Sequence, residues 1–329
     1  MYRTFYNLKR RPFEIIPDPS FLFATPGHNE ALAALYHGVR GHKGFVVLTG
    51  EVGTGKTLLL RCLLQLLKQS DDIAYAYIFN SRLSPVEFLH YIATDFGLSV
   101  SGKNKSEILL DLSNFLIARG SQKLTTVLII DEAHHLSVDI LEEIRLLTNL
   151  ETTHDKLLQI LLVGQPELDE KLDSTSLRQL KQRVAHRARL EPLTAEETQG
   201  YIERRLRQAG ATLDGPALFT PDTTSRIYRH SRGIPRLINT ICENALITGY
   251  ARQLHSISPE IIEDIAADLR LNVVHEPPAT AMQGFDPSDP QRAAQNLLEL
   301  FAYLQRQPVG HGKSQTPVTA GTREYEPNI

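Results

Sequence analysis

Tryptophan is absent from the 329 residues, and cysteine and methionine occur only twice each. Cys62 and Cys242 show neither CxxC nor Cys/His spacing, which excludes a disulfide framework and a cysteine-rich zinc site. Each lies in an apolar, helical-looking stretch and reads as a reduced core thiol of a cytoplasmic protein. A dominant charge sign is missing too: 35 Lys and Arg against 38 Asp and Glu leave a formal charge of −3. No global field therefore draws the chain to nucleic acid or anionic lipid, and any basic surface is local. No run approaches the roughly 18 apolar residues of a spanning helix. The opening MYRTFYNLKRRPFEII has no apolar signal core, so a soluble, unsecreted chain without a membrane span is expected. An internal repeat is absent as well, which excludes solenoids and propellers.

What is present is ordinary in bulk. Hydrophobic residues at 42% and charged residues at 22% suit a packed globular protein, and the length allows about two domains. Apolar β-rich runs at 45–49, 73–79, 125–130, 157–163 and, more weakly, 188–191 alternate with amphipathic stretches. This is the pattern of a parallel sheet with helices on both faces. After Leu193 the strand signals stop. Helical spacing then covers 194–209, 221–231, 235–251 and 259–270, with capping boxes at Ser84–Glu87 and Thr194–Glu197 and first-turn prolines at Pro85, Pro221 and Pro259. Residues 272–329 hold seven of the 18 prolines, and within them only 291–306 keeps a helical apolar spacing. The expected division is an α/β core over 1–193, a small all-α lid over 194–271 and a proline-rich tail over 272–329.

Gly50-Glu51-Val52-Gly53-Thr54-Gly55-Lys56-Thr57 matches GxxxxGK[ST] between a predicted strand and the predicted helix that begins Leu58-Leu59. Glycines let backbone N–H groups curl around phosphate oxygens, the helix N-terminus adds positive potential, Lys56 reaches the β and γ phosphates, and Thr57 binds Mg²⁺. The apolar run Thr125–Ile130 ends in Asp131 and Glu132, where Asp131 would serve the metal and Glu132 would polarise the attacking water. The letters Asp131-Glu132-Ala133-His134 invite a helicase reading. A paired glycine-arginine motif late in the chain and a second α/β domain are both missing, so that reading is rejected and His134 and His135 are read as solvated or core-edge residues.

Gln165 and Asn80 each follow a predicted strand and are either nucleotide-facing polar groups or turn residues. The run Leu177–Arg189 carries five basic residues before any acid, which admits a solvated helix face, a DNA contact, or an arginine offered to a neighbouring subunit's phosphate. In Ser231-Arg232-Gly233-Ile234-Pro235-Arg236 the chain turns just before a helix. A cation in that first turn opposes the helix dipole, so Arg236 calls for an anion partner.

In that order, GEVGTGKT, LIIDEA, VGQP, LRQLKQRV and RGIPR resemble an AAA+ ATPase. The opening words PDPSFL and HNEAL joined to the P-loop are similar to the ExeA/GspA type, associated with bacterial secretion, pilus or exopolysaccharide loci. The resemblance spans about residues 1 to 270 and extends to transposition-type AAA+ regulators. It implies ATP and Mg²⁺ as ligands. It also implies Lys56 and Thr57 as Walker A residues, Asp131 and Glu132 as the Walker B pair, Gln165 as sensor 1 and Arg236 as sensor 2. Arg183, with Arg178 in reserve, would be the finger presented to the next copy, and Asn80 would couple partner contact to Glu132. Phe13 and the 26–30 segment would line the adenine side. Two departures stand out: sensor 1 is more often Asn, Ser or Thr, and the tail lacks the membrane span and wall-binding domain of larger ExeA-like proteins.

The implied partners are further copies of the chain, in a ring or filament, and a protein of a secretion or envelope assembly machine, with the inner membrane reached only through that partner. Two other functions stay open. One is a DNA-dependent ATPase regulating transposition. The other is a slow nucleotide switch recruiting partners through 291–306.

Overall fold

The computed structural model describes residues 1–79, 83–152, 155–211 and 217–271. Asn80 and the 291–306 stretch lie outside the described residues. Met1–Asn272 form one compact unit.

Five parallel strands, β1 (Phe45–Gly50), β2 (Ile73–Ile78), β3 (Thr125–Ile130), β4 (Gln159–Gly164) and β5 (His186–Leu190), make a sheet in the order β2-β3-β4-β1-β5. Every residue of β1, β3 and β4 is buried, as continuous apolar runs in a sheet covered on both faces require. β4 starts two residues later than its apolar run suggests, at the buried Gln159. The Gln159 side chain accepts from the Gly44 N–H at 2.8 Å and donates to the Lys156 carbonyl at 2.7 Å, so a polar residue enters the core satisfied.

β5 extends further upstream than expected, to His186, and turns Arg187 and Arg189 to solvent, which suits a charged edge strand. The basic run is thereby split between a short helix, Arg178–Lys181, and this strand. Much of its charge is matched locally: Lys181 pairs with Asp173, Arg187 with Asp169 and Asp173, and Arg189 with Glu191.

Helices Pro85–Asp95, Lys105–Ser121 and Val138–Leu147 cover one face of the sheet, sharing a core of Phe88, Ile92, Leu112, Leu128, Ile140 and Leu162. Pro26–Arg40 and Lys56–Leu67 cover the other, around Leu35, Leu59, Leu63, Val127 and Leu161. Both capping boxes read from sequence form, and a third occurs where the Asn104 side chain and Glu107 close the start of Lys105–Ser121.

Downstream, Ala195–Gln208, Pro221–Ser231, Pro235–Ala251 and Pro259–Asp268 pack around Ile202, Ile227, Ile241, Ala245 and Ile262. The first residues of the chain join this bundle rather than the sheet: Tyr2, Leu8 and Phe13 are part of its core. Tyr2 Oη lies 2.8 Å from both carboxylate oxygens of Glu243, and Arg205 donates to the Pro12 carbonyl at 2.8 Å.

Sheet and bundle meet at Leu193, whose N–H donates to the Gly233 carbonyl at 2.9 Å. Gly233 has φ +75°, and a Cβ there would sit 1.9 Å from the Leu193 carbonyl oxygen. Gly233→Ala meets both a left-handed backbone and a main-chain clash. It is expected to lower unfolding stability by about 2 kcal/mol or more, read from the urea midpoint. An unchanged midpoint would show that this contact does not form.

Candidate nucleotide-binding site

The loop from Gly50 to Gly55 turns through two left-handed glycines, Gly53 (φ +85°) and Gly55 (φ +108°). It is closed by Thr54, whose hydroxyl donates to the Glu51 carbonyl at 2.9 Å. Gly55 is the N-cap of the following helix and no side chain caps that end, which leaves its first-turn N–H groups for a ligand. Below the loop His28 is buried against Thr25, Nδ1 to Oγ1 at 2.8 Å, and burial lowers its pKa, so a neutral ring supports the turn. A side chain at Gly55 would come within 3.5 Å of His28 Nε2.

Lys56 is 7% exposed. Its ammonium donates to the Gly50 and Glu51 carbonyls at 2.6 and 2.9 Å, and burial pushes its pKa down against the pull of Glu132 and Asp131. Across the loop, Thr57 Oγ1 donates to Asp131 Oδ2 at 3.2 Å and Tyr77 Oη to the same oxygen at 3.1 Å, while the Glu132 N–H donates to Oδ1 at 2.9 Å. Burial raises the Asp131 pKa and these donors oppose it.

The strand order explains the convergence. β4 lies between β1 and β3, so its last residues, Gly164 and then Gln165, emerge between the P-loop and the two carboxylates. Lys56, Thr57, Glu132, Gln165 and Arg236 line one pocket with Val52, Gly53, Gly55 and Leu58. Gly50, Glu51 and Thr54 shape the loop from outside that lining. Arg236 arrives because its N–H donates to the Gly53 carbonyl at 3.2 Å, and a side chain at Gly53 would lie 2.7 Å from Arg236 Cβ. The bundle helix Pro235–Ala251 therefore starts on top of the P-loop.

The far wall was not legible in the sequence. Ile15, Ile16 and Pro17 form it, the isoleucines 61% and 70% exposed, facing Tyr201, Arg205 and Asn239 of the bundle. An apolar pair set in a polar opening segment was the only local signal for these residues. Phe13, assigned there from sequence, is instead fully buried in the bundle, edge-on to Phe219.

Arg183 stands away from the pocket. Half-buried, it donates to Thr148 Oγ1 at 2.6 Å, at the end of helix Val138–Leu147, and Arg178 is exposed on its short helix. His134, read as solvated or core-edge, has a side chain only 7% exposed, set between Glu132 and Gln165.

A divalent ion fits the residues present. One carboxylate and one hydroxyl converge beside the P-loop, and among the described residues no cluster of three His, Cys, Asp or Glu side chains forms a protein-only cage. That donor set suits Mg²⁺ held partly by substrate phosphates. Among the described residues no helix is long and apolar enough to cross a membrane.

A family model described as an AAA domain matches residues 39–172. General secretion pathway protein A of Aeromonas hydrophila is 44% identical over 258 residues, covering 78% of this chain and 46% of that protein. The chain thus spans about half the length of the curated relative it matches. Among solved structures, ORC2 of Aeropyrum pernix superposes with a TM-score of 0.58 at 18% identity, over 79% of this chain and 72% of that one. Cdc6p of Pyrobaculum aerophilum does so with 0.58 at 20%, over 77% and 71%. These two likenesses show the fold. Residues 39–172 thus match an AAA domain, within a chain similar in sequence to General secretion pathway protein A.

Proposed function

We propose that this chain binds Mg·ATP between its sheet core, 1–193, and its helical lid, 194–271, and hydrolyses it as an assembly of copies serving a bacterial secretion or envelope assembly system. The observation that carries the reading is the meeting of Lys56, Thr57–Asp131 and Glu132 around one pocket capped by Arg236. The P-loop N–H groups and Lys56 would hold the phosphates, exchanging the carbonyl contacts of the ammonium for phosphate oxygens. Thr57 and Asp131 would hold Mg²⁺, which when bound neutralises charge developing on the phosphates. Glu132 would orient the attacking water, with Gln165 beside it. Arg236 would report phosphate occupancy to the lid, since its own backbone rests on Gly53. The secretion assignment is supported by the likeness to General secretion pathway protein A. The transposition alternative is weakened by the ion pairs that occupy Lys181, Arg187 and Arg189.

No further arginine lines the phosphate end of the pocket among the described residues, where Arg236 is joined only by Arg205 at the far wall. Arg183, anchored on Thr148, is our choice for the residue supplied by the next copy. Specific ATPase activity is therefore expected to rise with protein concentration. Arg183→Ala is expected to bind ATP normally and to lose about 1,000-fold of the assembled rate. A wild-type rate independent of concentration would refute hydrolysis by assembly. An Arg183→Ala chain that matches wild type when assembled would move the finger elsewhere.

A further inference from the structure

Glu132 leaves β3 in the left-handed region, φ +52° and ψ +36°, and the short turn Ala133–His135 that follows carries the His134 ring back beneath it. The turn is pinned from behind: Lys171 Nζ donates to the His134 and Leu136 carbonyls at 2.6 and 2.8 Å. The ring itself packs against His135, centroids 3.9 Å apart and planes tilted by 42°. Its two nitrogens thus have fixed neighbours. Nε2 lies 2.9 Å from Gln165 Nε2, and Nδ1 lies 3.4 Å from Glu132 Oε2, a buried oxygen that has no hydrogen-bond partner.

An amide nitrogen only donates, so the contact at 2.9 Å makes His134 Nε2 the acceptor and places the ring proton on Nδ1. Nδ1 then carries a proton 3.4 Å from Glu132 Oε2, a buried oxygen without a donor, a separation that a small turn of either side chain would close to a hydrogen bond. The competing arrangement, with the Gln165 N–H donating to Nδ1, is the longer contact at 3.4 Å and leaves Glu132 Oε2 unsatisfied. Burial keeps the ring neutral by lowering its pKa.

We propose that His134 is a positioning residue that links Gln165 to Glu132: the Gln165 amide donates to His134 Nε2, and His134 Nδ1–H holds Glu132 Oε2, leaving Oε1 to face the water. Gln165 then acts on the reaction through His134, which is why a long amide stands where a shorter polar side chain would reach the water directly. The inference rests on Glu132 being the residue that orients water.

The test uses the full chain. Two-bond proton–nitrogen spectra of the histidine-labelled protein at neutral pH are expected to show His134 as the Nδ1–H tautomer, and the Nε2–H tautomer overturns the proposal. His134→Leu is expected to lower kcat by about 10- to 100-fold while KM and nucleotide affinity stay unchanged. His134→Asn, which returns a donor near Nδ1, restores most of the rate. Gln165→Leu is expected to add nothing to His134→Leu, because both break one chain, and independent, additive losses overturn the link. If Glu132→Gln is inactive and His134→Leu turns over like wild type, the link fails while the Glu132 assignment stands. If Glu132→Gln hydrolyses normally, the assignment itself has failed.

Discussion

Glu132→Gln is expected to bind Mg·ATP as tightly as the wild-type chain and to turn it over about 100- to 10,000-fold more slowly, the range that loss of a positioned base commands. The substitution keeps the shape and the left-handed backbone of residue 132 while removing the negative charge that would polarise water. It spares the ground-state contacts, because the P-loop, Lys56 and the Thr57–Asp131 pair are untouched. The loss therefore falls on kcat with KM little changed, the signature of an interaction made in the transition state. A filter-binding or fluorescent-nucleotide titration gives the affinity, and a single-turnover assay gives the chemical step. Normal turnover would remove Glu132 from the chemistry, and lost binding would instead make it a ground-state contact. Asp131 offers the contrasting case: its carboxylate meets Thr57, Tyr77 and the Glu132 N–H, so changing it would disturb the site's geometry as well as the proposed metal position.

The parts of this site written in contiguous residues are legible in the amino-acid sequence alone. The P-loop is local chemistry, in which two glycines, a lysine and a threonine act on backbone within a few residues of themselves. β1 and β3 are equally plain, since burial on both faces demands unbroken apolar runs. β5 is faint because an edge strand alternates, and its arginines read as a basic surface unless their partners Asp169, Asp173 and Glu191 are known to lie beside them. Nothing local marks His134 as buried: Gln165, its partner, is 31 residues away and reaches it only because β4 lies next to β3. The same holds for Ile15 and Ile16, which become a pocket wall because the opening residues pack on the helical bundle. Arg205 is hidden likewise, as its bond to the Pro12 carbonyl spans 193 residues.

Lys56→Met separates what the nucleotide site does from what it costs the fold. Lys56 is 7% exposed, its ammonium donates to the Gly50 and Glu51 carbonyls, and its pKa is lowered chiefly by burial, against the pull of Glu132 and Asp131. A lysine whose pKa is lower folded than unfolded binds its proton less readily in the native state, so its charge opposes folding. The sign follows: below the lowered native pKa the penalty is present in full, stability rises with pH through the window up to the unfolded value, and above that the penalty is gone. At neutral pH the unliganded Lys56→Met chain is therefore expected to unfold at a temperature equal to or above that of wild type, a flexible apolar side chain filling much of the same space. With ATP the order reverses. Bound triphosphate would give the ammonium direct anionic contacts in place of two carbonyls, and losing a buried charge-assisted contact of about 3 kcal/mol would weaken binding roughly 100-fold or more. Wild type held at about 100 times its Kd gains roughly 2.7 kcal/mol from the ligand, and Lys56→Met under the same conditions gains almost none. Thermal melts with and without Mg·ATP read both halves. A variant that melts well below wild type without nucleotide would show that the two carbonyl contacts outweigh burial, and a preserved ATP-induced shift would remove Lys56 from the phosphate site.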